Sequence, residues 1–117
     1  MLGRPFRVFY RLVQTDPPSI EDFMSHEALG ILPTRPLSGR AHDWWQGVSH
    51  HDSRDAAMAK GNASPWLGLY VAELHVPTAA IVRVEQTGRD PTHHTIWAHP
   101  AALLSWVVSV QALEPLH

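Results

Sequence analysis

The chain has 117 residues with a formal net charge of −2 at pH 7, and 44% of its residues are hydrophobic. This length predicts one domain over residues 1–117, and the hydrophobic content, with five tryptophans, is typical of a packed globular protein. No basic run is present, which argues against binding to extended nucleic acid. The absence of cysteine excludes a disulfide framework and any cysteine-based zinc site or nucleophile.

The apolar segments predict neither a signal peptide nor a membrane span. Arg7 and Arg11 interrupt the apolar N-terminal region. The most apolar stretch, residues 101–113, is too short to cross a bilayer. We therefore expect a cytoplasmic protein with no membrane partner. Lys60 is the only lysine, a bias that fits a GC-rich bacterial genome.

Phe6–Val13 is the first predicted strand, because it is rich in aromatic and β-branched residues and a Pro-Pro turn follows it. Alternation places Arg11 on the face of Phe9 and Val13, and places Tyr10 on the opposite face. An unpaired guanidinium among apolar groups is costly to desolvate. We therefore predict that Arg11 lies in a cleft, on an anionic ligand, or in a buried ion pair.

A mixed order of elements follows. Ser19 and Asp22 form a capping-box pattern that predicts a helix over residues 20–28, closed by Gly30. An irregular loop covers residues 31–40. Beyond it the patterns predict a helical turn at 42–46, strands at 47–50, 69–76, 80–86, 95–97 and 107–113, and helices at 54–60 and 101–105.

These elements lack regular βαβ alternation, which predicts an α+β fold. We expect a single compact domain with a mainly antiparallel twisted sheet, or two small packed sheets, and two to three short helices.

Standard motifs for dinucleotides in a Rossmann fold, for phosphate loops and for serine hydrolases are absent. Nine histidines raise the question of a metal site. The pairs His50-His51 and His93-His94 are adjacent, however, so on a strand their side chains point to opposite faces. No metal site is therefore predicted.

The order of Tyr10-Arg11, the run Trp44-Trp45-Gln46-Gly47-Val48-Ser49, and the later glutamates Glu73 and Glu85 resembles the ADP-ribosyltransferase-like superfamily. The likeness is to its Arg–Ser–Glu branch and to small bacterial toxins of similar fold. It implies that Arg11 binds a phosphate of NAD and that Ser49 supports Arg11 and the nicotinamide ribose. It also implies that a glutamate on a late strand binds the ribose 2′-hydroxyl.

The resemblance implies NAD as a substrate, a small-molecule nucleotide partner, and an antitoxin-like protein partner. Ser49 with Glu73 or Glu85 would be catalytic. Glu73 ends an apolar strand face, whereas the spacing from Ser49 favours Glu85, and both stay open. Tyr10, Trp45 and His94 join Arg11 as candidates for binding the nucleotide, and either tryptophan of the Trp44-Trp45 pair can stack on a ring.

Two other classes stay open, and whether the chain is an enzyme is itself open. The first is a non-catalytic binding module, in which Arg11 binds an anion or pairs with Glu73 or Glu85. The second is a histidine-based phosphodiesterase or nuclease, with His50 or His51 and His94 as acid and base. The transferase hypothesis predicts that Arg11, Ser49 and one glutamate share a pocket.

Overall fold

A six-stranded antiparallel sheet, in the order β4-β5-β2-β1-β3-β6, organises the computed structural model, which describes residues 5–114. The strands are β1 Phe6–Val13, β2 Val48–His51, β3 Tyr70–Pro77, β4 Arg83–Gln86, β5 His93–Trp97 and β6 Val107–Ala112. The α-helices are α1 Gly39–Trp45, α2 Arg54–Ala63 and α3 Pro100–Ser105, and 3-10 helices cover Ile20–Phe23 and Pro65–Leu67. The predicted α+β fold with a mainly antiparallel sheet is confirmed.

Different helical elements pack on the two faces of the sheet. Phe9, Val13 and Leu74 lie on the core face, where they pack with Phe23 of the first 3-10 helix and Leu103 of α3. Helix α2 covers the opposite face, here called the α2 face. Among residues 5–114, no helix is long and apolar enough to cross a membrane.

Helix α2 approaches the sheet closely through Gly61. A Cβ atom at this position would lie 2.7 Å from Leu12 Cδ2 and 2.8 Å from Leu113 Cδ2. The predicted end of this helix before Gly61 was therefore wrong. Gly61 lies inside the helix and permits the close contact between α2 and β1.

The helix predicted over residues 20–28 is reduced to the 3-10 helix Ile20–Phe23. The capping box of Ser19 and Asp22 is present, but the Asp22 carboxylate also accepts a hydrogen bond from the Gln14 amide at 2.8 Å. Phe23 is fully buried, and Met24 then leaves in an extended conformation. Tertiary contacts with β1 and the core thus override the helical pattern.

Strand β1 has very different neighbours on its two sides. It pairs with β3 along its whole length, from Phe6 opposite Pro77 to Val13 opposite Tyr70. With β2 it pairs only where Tyr10 lies opposite His51. Beyond this pair the two strands separate, and we call the resulting gap the seam.

Candidate functional site

Arg11 spans the seam between β1 and β2. Its Nη1 donates to the carbonyl oxygen of Ser49 on β2, and its Nε donates to the carbonyl oxygen of Asp22, each at 2.6 Å. The side chain thus satisfies a β2 carbonyl that a continuous ladder would have paired with a backbone amide. Both bonds fix the guanidinium at the point where the strands part.

The charge of Arg11 is not neutralised by a carboxylate within the described chain. Burial lowers the pKa of Arg11 to about 10, and the attraction of Asp22 offsets this only in part. The Asp22 carboxylate is instead engaged by the amides of Gln14 and Ser19. Arg11 therefore remains a cation at neutral pH.

A cavity of about 340 Å³ opens at the seam. Arg11 lines it, as the strand pattern predicted. Its other lining residues come from the strands, from α2, and from the segments after the first 3-10 helix and at the end of α1; they include Ser25, His26, Trp44, Ser49, His51, Lys60 and His93. No carboxylate belongs to the lining formed by the described residues, so the pocket is suited to an anion.

His51 and His93 face each other across the β2–β5 ladder inside this pocket. They are directly opposed in register, and their ring centroids lie 5.4 Å apart. Burial is the main cause that lowers the pKa of each below its usual value, so both rings are neutral at neutral pH. Burial and the nearby charge of Arg11 also lower the pKa of His26, so the pocket holds three uncharged imidazoles beside Arg11.

His50 and His94 lie on the core face, opposite each other and beside Phe9. The prediction that adjacent histidines point to opposite faces is confirmed. His94 was predicted to help bind the nucleotide, and the histidine-based hypothesis also relied on it. His94 does not line the pocket, because the register of β5 directs His93 rather than His94 into it.

Neither predicted glutamate lines the pocket. Glu73, on the α2 face, accepts hydrogen bonds from His75 Nε2 at 2.7 Å and Arg54 Nη2 at 2.8 Å, and these bonds lower the pKa of its carboxyl. Glu85 accepts from Arg83 Nη2 at 2.8 Å on the edge strand. The predicted convergence of a glutamate with Arg11 and Ser49 was wrong, because each carboxylate is held by cationic or imidazole groups elsewhere.

The aromatic wall of the pocket is Trp44. Trp45 instead donates from Nε1 to the carbonyl of Ile31 at 3.1 Å and packs edge-on against His26. Tyr10 lies on the α2 face under the guanidinium of Arg54, 5.6 Å from its ring centroid. Trp45 and Tyr10 are therefore outside the pocket, because local partners hold both.

Sequence reasoning missed His26 and Lys60 as pocket residues, and from the run His93–Trp97, which it considered as a second wall of the cleft, it chose His94 instead of His93. The position of His93 depends on the β2–β5 register, which no local pattern encodes. The sequence does contain features that distinguish Lys60. It is the only lysine, and its helical neighbours three and four positions away have no carboxylate.

No cluster of three or more His, Cys, Asp or Glu residues within the described range is placed to hold a metal ion. Comparison with protein-family models, with curated proteins and with solved structures finds no match to this chain. Function is therefore argued from the geometry of the pocket.

Proposed function

We propose that the pocket binds NAD and that the protein uses it for ADP-ribosyl transfer or NAD hydrolysis. One observation carries the proposal: Arg11 is fixed at the seam by the carbonyls of Ser49 and Asp22 and lines the cavity. The guanidinium has five N–H donors, and two of them are used by these bonds. The others are available for the oxygens of a phosphate, which arginine binds in a bidentate manner.

Other lining groups fit the rest of such a ligand. The Ser49 side chain lies at the same seam as Arg11 and supplies a hydroxyl for a ribose hydroxyl group. Trp44 lines the wall with 37% of its surface exposed, which leaves a ring face available for stacking on a base. The volume of about 340 Å³ lies in the range of small-molecule sites.

Cleavage of the nicotinamide–ribose bond leaves the electron pair on nicotinamide and positive charge on the sugar. Water or another hydroxyl then adds to that carbon and releases a proton. His51 and His93 are neutral bases directly opposed in the pocket, and we assign proton uptake to one of them. The glutamates Glu73 and Glu85 have no part in this scheme.

Release of nicotinamide tests the proposal. The purified protein should release nicotinamide from NAD, and NAD should quench the fluorescence of Trp44. Ser49→Ala and His93→Asn should each lower release by about tenfold or more, whereas Arg7→Ala should leave it unchanged. Absence of both release and quenching at millimolar NAD would contradict the proposal and favour the binding-module hypothesis.

A toxin-type role has a cellular test. Induced expression of the wild-type chain in bacteria should lower the cellular NAD pool and arrest growth, while Arg11→Ala should do neither. A neighbouring gene that restores growth would identify the antitoxin-like partner. Equal growth of cells carrying the two proteins, with equal NAD, would contradict the toxin role.

A histidine-based phosphodiesterase is the second candidate, and the opposed pair His51 and His93 beside Lys60 favours it. Two imidazoles in one pocket with a cation can act as acid and base on a phosphodiester. Hydrolysis of a cyclic mononucleotide in the presence of a chelator, lost in both His51→Asn and His93→Asn, would support this function. No hydrolysis by the wild type would exclude it for that substrate.

A further inference from the structure

Lys60 is the only lysine of the chain, and it lines the pocket from the last turn of α2. Its ammonium forms no hydrogen bond or ion pair with the described residues. Arg54, at the start of the same helix, instead pairs with Glu73 at 2.8 Å. The single lysine is thus a cation without a carboxylate partner in residues 5–114, and it faces a cavity lined by His51 and His93.

The hydrogen bonds of the two histidines determine which ring nitrogen carries the proton. Thr92 Oγ1 donates its proton to Asp90 Oδ1 at 2.7 Å, so in its 3.2 Å contact with His51 Nδ1 it can only accept. His93 Nδ1 lies 3.1 Å from the carbonyl oxygen of Thr87, which only accepts, and 3.0 Å from Thr87 Oγ1, which can accept from His93 while it donates its own proton to Thr95 Oγ1 at 2.7 Å. Both neutral rings therefore carry the proton on Nδ1 and a lone pair on Nε2.

Neither Nε2 atom has a hydrogen-bond partner among the described residues. Among residues 5–114, His50 Nε2 is the one side-chain nitrogen or oxygen atom that is fully buried and has no hydrogen-bond partner. The Nε2 atoms of His51 and His93, which also have no partner in this range, are therefore in contact with solvent. Residues between β4 and β5 form hydrogen bonds with the Nδ1 atoms of both rings. The Nε2 atoms therefore stay available to a ligand.

We propose that Lys60, His51 and His93 form a second anion subsite, separate from Arg11, that binds a phosphate group. His51 and His93 project side by side from β2 and β5 on the face that α2 covers, and Lys60 enters the same cavity from α2, so an anion between helix and sheet can meet all three side chains. The lone pair of each Nε2 accepts a proton from the phosphate or from solvent, after which the ring donates a charge-assisted hydrogen bond.

The surrounding charges are compatible with this subsite. Asp90 lies behind the histidines: its Oδ2 is 3.8 Å from His51 Nδ1, and its Oδ1 accepts from Thr92. Asp52 faces His94 at 3.9 Å, on the other side of β5 from His93. Neither aspartate lines the cavity, whereas the cation Arg11 does. The cavity is lined by two cations, Arg11 and Lys60, and by no carboxylate of the described residues. It therefore concentrates anions although the chain as a whole has a net charge of −2.

Lysine labelling tests the subsite directly, because the chain offers a single lysine. N-hydroxysuccinimide acetate should acetylate Lys60, and inorganic phosphate at millimolar concentration should slow this reaction several-fold. The amine at the N-terminus, read in the same digest by mass spectrometry, is the internal reference and should react at an unchanged rate. Equal slowing of both amines, or of neither, would overturn the proposal.

Histidine titration by nuclear magnetic resonance provides the second readout. Phosphate should raise the pKa of His51 and His93, assigned with the two Asn variants, and leave exposed His42 unchanged. Lys60→Met should weaken phosphate binding about tenfold, Lys60→Arg should restore it, and Arg40→Met on α1 is the matched control. Unchanged affinity in Lys60→Met would contradict the subsite.

Arg11→Ala separates this inference from the proposed function. Phosphate should still protect Lys60 in that variant, although binding of NAD is lost. Loss of phosphate protection in Arg11→Ala would show one site instead of two and would overturn the second subsite. Failure of the wild type to release nicotinamide, with Lys60 protection intact, would contradict only the NAD proposal.

Discussion

The two sides of strand β1 differ in how their backbone is satisfied. Toward β3 the ladder is continuous, with Phe9 opposite Leu74 in the middle of the core. Toward β2 the ladder stops after Tyr10 opposite His51, and the side chain of Arg11 bridges the gap. On the β3 side, the continuous ladder stabilises the fold. On the β2 side, the gap opens into a cavity, and Arg11 presents to it the N–H groups that do not bond backbone carbonyls.

The two arginines of β1 show the same difference within one strand. Arg7 is exposed and stacks over the ring of Phe9 at 4.9 Å. Arg11 points toward the seam and bonds two carbonyls. Substitutions in the β1–β3 ladder should therefore alter stability alone. Substitutions at the seam should alter both stability and ligand binding.

Leu74→Ala should give the largest loss of stability. Leu74 is fully buried in the ladder, and truncation of such a side chain costs about 2–5 kcal/mol in the free energy of unfolding. Urea unfolding measures the loss. The folded fraction should bind NAD with unchanged affinity, since Leu74 does not line the cavity. A parallel loss of affinity in the folded protein would contradict the separation of the two sides.

His50 should make stability depend on pH. Burial lowers the pKa of His50 to about 3, so between pH 6.5 and pH 3 the unfolded chain binds a proton that the folded chain does not. Stability is therefore lost as the pH falls through this window, by about 3 kcal/mol between pH 6.5 and pH 4.

Urea unfolding at several pH values measures this dependence, and His50→Phe should flatten it. Phenylalanine has a similar shape, and the Nε2 of His50 is unpartnered within the described chain. The exposed His42→Gln is the control and should keep the wild-type slope. An unchanged pH dependence in His50→Phe would show that other groups cause the acid sensitivity.

Arg11→Ala should cost about 1.5–3 kcal/mol in the free energy of unfolding, because it removes two charged hydrogen bonds and leaves two carbonyls unsatisfied. Arg7→Ala is the matched control on the same strand face and should cost less than about 0.5 kcal/mol. Thermal melts of the two variants give the comparison. Equal costs would mean that Arg11 does not hold the seam together.

The glutamate variants should have the smallest effects. Glu85→Gln removes an exposed pair with Arg83, and we expect a change in stability of less than about 1 kcal/mol. Glu73→Gln loosens the contacts with His75 and Arg54 outside the pocket. Both variants should keep NAD binding and nicotinamide release. A selective loss of release in either would return that glutamate to the catalytic scheme.

Local patterns predicted the fold better than the site. Alternation defined β1 and the opposite directions of His50 and His51, because side-chain direction in a strand depends on the backbone alone. The partners of Glu73 and Glu85, and the choice of His93 over His94, depend on strand pairing between distant segments. The capping box at Ser19 predicted where a helical turn begins but not its length, since burial of Phe23 ends it.

Calorimetric titration of NAD into the wild type, Arg11→Ala and Arg7→Ala at low ionic strength tests the central claim that Arg11 makes the seam a nucleotide site. We expect the wild type and Arg7→Ala to bind NAD with similar affinity and Arg11→Ala to show no measurable binding while it remains folded. Equal binding by Arg11→Ala, or no binding by the wild type, would contradict the claim.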